Sequence, residues 1–192
     1  MNAKALSRAP LVLSALLILV FALWGGLLRL QWPLAAPQAG WISFHGPLMA
    51  CGFFGILIGL ERAVALRSPW TWTVPLLNAL GAWTFALGGP EKTGTLLFFL
   101  GSLCYVGVCV RLYRLQPALY SLVSLAGALC WVGANGEWLA GRTFPQLALG
   151  WQAFLVLTIA SERLELTRFI PLAPGRKKSF ALTSLLILSG AG

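Results

Sequence analysis

The chain has 192 residues, 58% of them hydrophobic and 10% charged, with a mean hydropathy of +0.82. A soluble domain carries about 25% charged residues, so the polar side chains here are too few to cover a water-facing surface, and the surrounding medium must be lipid. The formal charge of +9 does not signal nucleic acid. The lysines and arginines stand singly or in small groups between long uncharged runs, whereas a nucleic-acid binder gathers them on one hydrated face.

A spanning helix needs about 20 mostly apolar residues, and six such runs follow one another. The first, Pro10–Leu28, is uncharged throughout. Lys4 and Arg8 precede it as the n-region of a signal peptide would. The run is longer than a typical h-region, however, and no A-x-A site follows closely, so a retained helix is expected. The second run covers about Trp41–Leu60, the third Trp70–Gly88, the fourth Thr93–Val110, the fifth Leu115–Gly136 and the sixth Thr143–Ser161. A seventh begins near Ser179 and stops at Gly192, 14 residues later, too short to cross. The expected fold is therefore all-α, a polytopic transmembrane helix bundle of six full helices plus a partial seventh, with 1–192 as one transmembrane domain. Trp32, Trp41, Trp70, Trp72 and Trp138 fall near run ends, where a ring that is apolar apart from its N–H suits the interface.

Orientation follows from the basic residues. With the N-terminus in the cytoplasm, the inside receives Lys4, Arg8, Arg62, Arg67, Arg111, Arg114, Arg163, Arg168, Arg176, Lys177 and Lys178, which is 11 of 14. The outside keeps Arg29, Lys92 and Arg142. The bias alternates at every loop, as the positive-inside rule requires, and points to the cytoplasmic (inner) membrane. Arg176-Lys177-Lys178 fits an anchor on anionic lipid. Cys51, Cys104, Cys109 and Cys130 all fall in apolar runs without a CxxC spacing and are expected to pack as small buried residues.

The second run contains "FHGPLMACGFFGILIGLERAVAL", residues 44–66. It holds His45, the single histidine, and Glu61, one of five acidic residues, all glutamate. They are sixteen residues apart, about 24 Å of helix. They cannot share a site, and the orientation places His45 at the outer surface and Glu61 at the inner. His45 and Met49, spaced i, i+4, stack on one helical face. Imidazole and thioether are donors for haem iron or copper, which makes His45 and Met49 the candidate metal ligands. Gly52, Gly55 and Gly59 continue at spacings of three and four, a small-residue lane for close helix packing that includes a GxxxG motif.

"GLERAVALR" (59–67) has a partner in "ASERLELTR" (160–168) at an offset of 101 residues. The alignment pairs Glu61 with Glu162, Arg62 with Arg163, Phe53 with Phe154, Ile58 with Ile159 and Arg67 with Arg168. Four helices of about 25 residues make that offset, and an even number keeps the copies parallel. The repeat units would be 41–138 and, incompletely, 142–192, which suggests a fragment or a remainder supplied by a partner membrane subunit. Adjacent residues on a helix diverge by about 100°, so Glu61 with Arg163 and Glu162 with Arg62 are the expected pairs of an inner ion-pair clamp. His45 aligns with Gln146 and Met49 with Gly150. A bis-histidine haem would therefore need the missing portion or another subunit. Glu137, with Asn135 and Arg142, lies on the outer side with His45.

No catalytic triad, P-loop, HExxH or paired catalytic carboxylates occur, so a non-catalytic role is expected. The run His45–Leu66 resembles segments of NnrS-type bacterial membrane proteins. These are haem- and copper-associated proteins linked to nitric-oxide metabolism and distantly similar to the haem–copper oxidase core, which has twelve helices in three parallel four-helix arcs. The resemblance covers about the second to sixth runs and implies a metal role for His45. The alternatives are a small-solute, ion or proton transporter using Glu61 and Glu162, and a structural subunit of a membrane complex.

Overall fold

The computed structural model describes residues 8–37, 39–166 and 182–183. The seventh run, apart from Leu182 and Thr183, lies outside the described residues, as do Lys4, Arg168 and the Arg176-Lys177-Lys178 cluster. The chain is all-helical among the described residues, with six helices in the order the apolar runs predict. They are α1 (Ala9–Arg29), α2 (residues 39–66), α3 (Thr73–Ala86), α4 (Glu91–Leu115), α5 (Leu119–Leu139) and α6 (Phe144–Leu166). Five of them, all but α3, are long and apolar enough to cross a membrane.

Each helix starts and stops for a local reason. Pro10 sits in the first turn of α1, where its missing N–H would be unpaired in any case. α1, α3 and α5 all end in the same way. After α1, Gln31 N–H donates to Leu28 O at 3.0 Å and Trp32 N–H to Leu27 O at 3.2 Å. After α3, Gly88 N–H donates to Phe85 O at 3.2 Å and Gly89 N–H to Thr84 O at 2.7 Å. After α5, Gly141 N–H donates to Trp138 O at 2.8 Å and Arg142 N–H to Glu137 O at 3.0 Å. This is the Schellman pair of bonds, which satisfies end carbonyls through one left-handed residue. The left-handed residues are Gly88 (φ 74°), Gly141 (φ 90°) and, at α1, Gln31 (φ 62°).

α2 is continuous but not uniform. Its α-helical start, Ala39–Pro47, opens into a π-helical turn, Leu48–Phe53, and returns to α-helix at Phe54–Leu66. Pro47 has no N–H to give and crowds the carbonyl four residues back, and the wide turn begins at the next residue. Phe54 N–H then reaches back five residues to Met49 O. α3 is also shorter than its apolar run predicts, at 14 residues. The 3₁₀ turn Pro69–Trp72 that feeds it adds about 8 Å to a helix of about 21 Å, close to a 30 Å hydrocarbon layer.

The chain packs as two compact units, 1–105 and 106–192. In the first, Ala15 of α1, Ile56 of α2 and Ala79 of α3 meet in a core with Leu11 and Phe53 against it. A Cβ on Gly52 would come 2.7 Å from Ile18 and 3.1 Å from Ala82, and one on Gly59 would come 2.7 Å from Val74. Two glycines of the lane thus let α2 approach α1 and α3, and Gly55 is buried. In the second unit α5 and α6 form the main pair. Trp131 stacks on Phe154 at 4.3 Å, and Gly127 and Gly150 lie against the facing backbone. Cys51 and Cys109 are buried and outside any disulfide, while Cys104 and Cys130 are partly exposed.

The outer surface is apolar. Leu13, Leu16, Val20 and Leu23 of α1 are each more than half exposed, at 58%, 51%, 52% and 52%. In water such a stripe would drive association, and in lipid it is the solvent-facing side. A left-handed backbone costs a side-chain-bearing residue about 1 kcal/mol relative to glycine. Gln31→Gly is therefore expected to raise thermal stability in detergent, with a gain of about 0.5–1 kcal/mol; an unchanged or lowered melting temperature would contradict the left-handed assignment.

Candidate functional site

His45 stands near the start of α2, and three contacts fix that end of the helix. Trp41 Nε1–H donates to Ala86 O at 2.9 Å, satisfying a carbonyl that the end of α3 leaves unpaired. Phe21 of α1 stacks on the Trp41 ring at 4.6 Å. Gly25 of α1 lies directly against the Trp41 carbonyl, and a Cβ there would also come 3.2 Å from His45 Cβ. α1 and α2 can touch at this level only because residue 25 has no side chain.

His45 is half-buried. Its Nδ1 lies 2.8 Å from Ile42 O. A carbonyl can only accept, so Nδ1 carries the proton, and in the neutral ring Nε2 keeps the free lone pair. A backbone acceptor of this kind sets the tautomer and orientation of a metal-binding histidine. The ring edge lies across Gly26, with Cδ2 3.8 Å from where a Cβ would be.

Met49, the other candidate ligand, is half-buried in the π turn. It follows His45 by about one turn on the same helix, whereas the two axial ligands of a haem approach from opposite faces. One haem iron therefore cannot take both. No group of three or more His, Cys, Asp or Glu gathers among the described residues. A haem would need only one imidazole from the chain, because the macrocycle supplies four donors.

The other predicted residues lie elsewhere. Glu61 is exposed and Arg62 buried near the far end of α2, in the first unit. Glu162 is partly buried and Arg163 exposed in α6, in the second. Arg62 is thus the less exposed member of the first Glu-Arg pair and Glu162 that of the second. His45 and Glu61 occupy opposite ends of one helix, about 24 Å apart.

Asn135 does not join Glu137. The amide is fully buried and accepts Trp151 Nε1–H at 2.9 Å, while Glu137 is exposed. Residues two apart on a helix point roughly 200° apart, so one faces in and the other out. Sequence reasoning also passed over Asn78 in α3, which is fully buried and donates its Nδ2 to Val74 O at 2.8 Å. Gly101 of α4 packs on its amide. The signal was available, since an amide inside an apolar run is costly unless buried among helices.

These features define an α-helical multi-pass membrane protein with a single oriented imidazole near one end of its first unit. The chain belongs to the family described as a domain of unknown function, DUF8744, which matches residues 8–192. No curated protein and no solved structure matches it.

The neighbouring glycines of α1 provide a contrast. Gly25→Ala drives a methyl into the α2 backbone and is expected to cost about 1–3 kcal/mol. Gly26→Ala meets nothing closer than 3.8 Å and should leave the melting temperature within about 2 °C of wild type. Equal effects would contradict the contact between α1 and α2.

Proposed function

We propose that this is a haem-associated protein of the cytoplasmic membrane, of the NnrS-like kind, with its N-terminus inside and a non-catalytic role linked to nitric-oxide or respiratory metabolism. The observation that carries the reading is the 2.8 Å contact between His45 Nδ1 and Ile42 O. It leaves one lone pair, on Nε2, with its direction set by the backbone. The donation also makes that nitrogen a better base. Gly25 and Gly26 keep α1 from covering the ring with side chains, and Trp41 fastens the end of α2 to α3. These residues hold and orient the donor before any ligand arrives.

A haem held by the His45 imidazole would supply a redox-active iron able to take a small ligand. The transporter reading has less support, because Glu61 is exposed and a relay carboxylate would be buried. The inner-membrane orientation is supported by Arg8 and Arg67, two residues assigned to the inside, which line one cavity of the first unit.

The test is haem titration of the purified full-length chain. A Soret band that saturates near one haem per chain, is lost in His45→Ala and survives in Met49→Leu is the expected result. No Soret band, or a band unchanged in His45→Ala, would overturn the reading.

A further inference from the structure

Two adjoining concavities of the first unit lie away from His45. One, of about 750 Å³, is lined by Arg8, Arg67, Ser68, Pro69 and Trp72 among others. The other, of about 580 Å³, runs between α1 and α3 with Leu13, Leu17, Leu76, Trp83 and again Trp72 in its walls. Trp72 belongs to both, so a polar mouth continues into an apolar groove. The groove's polar groups are turned on each other, since Trp83 Nε1–H donates to Ser14 Oγ at 2.6 Å. What remains facing outward is hydrocarbon, with Leu13 58% and Leu76 48% exposed.

The mouth is cationic. Neither the Arg8 nor the Arg67 guanidinium has a hydrogen-bond or ion-pair partner among the described residues, and no acidic residue is among the described lining residues. α1 begins here with Arg8 at its N-cap and no side-chain cap, so the positive end of its dipole adds to the field of the two arginines. The mouth also lies where α1 starts and α2 ends, helix ends at which headgroups would be met if both helices cross the layer.

We propose that the two concavities together hold one anionic phospholipid. Its phosphate sits between Arg8 and Arg67, and an acyl chain lies in the groove between α1 and α3. A free phosphate would meet the arginines but leave the groove without a function. A zwitterionic lipid would fill the groove but bring an ammonium to the cationic mouth. Only an anionic headgroup on an acyl chain matches both halves. The site involves neither His45 nor the Glu-Arg repeat, so its test is independent of haem.

The test is lipid binding to the purified full-length chain in a neutral detergent, read by native mass spectrometry. The probes are phosphatidylglycerol and phosphatidylcholine with identical acyl chains, and inorganic phosphate as competitor. Phosphatidylglycerol is expected to bind at least tenfold more tightly than phosphatidylcholine, and phosphate at the same concentration should not displace it. The double variant Arg8→Gln, Arg67→Gln should weaken phosphatidylglycerol about 30-fold, roughly fivefold for each charge lost near the surface. Leu76→Trp, which fills the groove and spares the arginines, should weaken it at least tenfold. Arg111→Gln with Arg114→Gln, in α4 of the second unit, should leave it unchanged. Equal binding of the two lipids, full retention by either cavity variant, or displacement by phosphate would each overturn the proposal.

Discussion

Helices that meet in lipid gain little by burying leucine against leucine, because the lipid tails offer leucine the same surroundings. Their contacts depend on how closely the backbones approach. That constraint explains where the small residues lie. Ala15, Ala79 and Ala82 line the core of the first unit while Leu13, Leu16, Leu17 and Leu23 of α1 face out. Gly52 and Gly59 let α2 press on its neighbours, and Gly25 lets α1 touch the Trp41 carbonyl. In the second unit Gly127 and Gly150 do the same for α5 and α6. A methyl group at one of these contacts would push apart surfaces that hydrophobic burial alone cannot hold together.

Polar groups obey the complementary rule. A donor inside the layer has no water to fall back on, and several of the buried ones bond to nearby acceptors. Thr71, Asn78, Thr95 and Ser102 return their donors to carbonyls three or four residues earlier. Trp41, Trp151 and Ser161 reach across to another helix or its cap, and so set the register between elements as well as satisfying themselves. The bond from His45 to Ile42 O belongs to the first, local kind, but with a difference. It uses one ring nitrogen and leaves the other available.

The six helices were legible in the sequence because the layer thickness sets a run length that composition reveals directly. Observed ends fall within a few residues of the apolar runs for α1 and α5, and charged residues at the end of α4 extend it past its run to Leu115. The π turn was not legible. Its cause, Pro47, reads equally well as an ordinary kink, and the extra residue leaves no mark on an all-apolar stretch. The three-and-four spacing of Gly52, Gly55 and Gly59 therefore described an idealised helix rather than the one formed. Asn135 and Glu137 were grouped because they are neighbours in the chain, although helical geometry sends them to opposite sides. The juxtaposition of Arg8 with Arg67 needed the fold, since nothing in sequence spacing brings residues from different helices to one cavity. His45 was conspicuous as the only histidine, but which of its nitrogens is free depends on one backbone carbonyl.

The account rests on α2 crossing the layer, with its imidazole and its first carboxylate in different compartments. Single-cysteine variants test this directly: His45→Cys and Glu61→Cys, each in a chain whose four native cysteines are replaced by alanine. A membrane-impermeant maleimide applied to intact spheroplasts should label position 45 at once and position 61 only after lysis. Labelling of both positions from the same face would contradict the crossing and remove the basis for the site assignments.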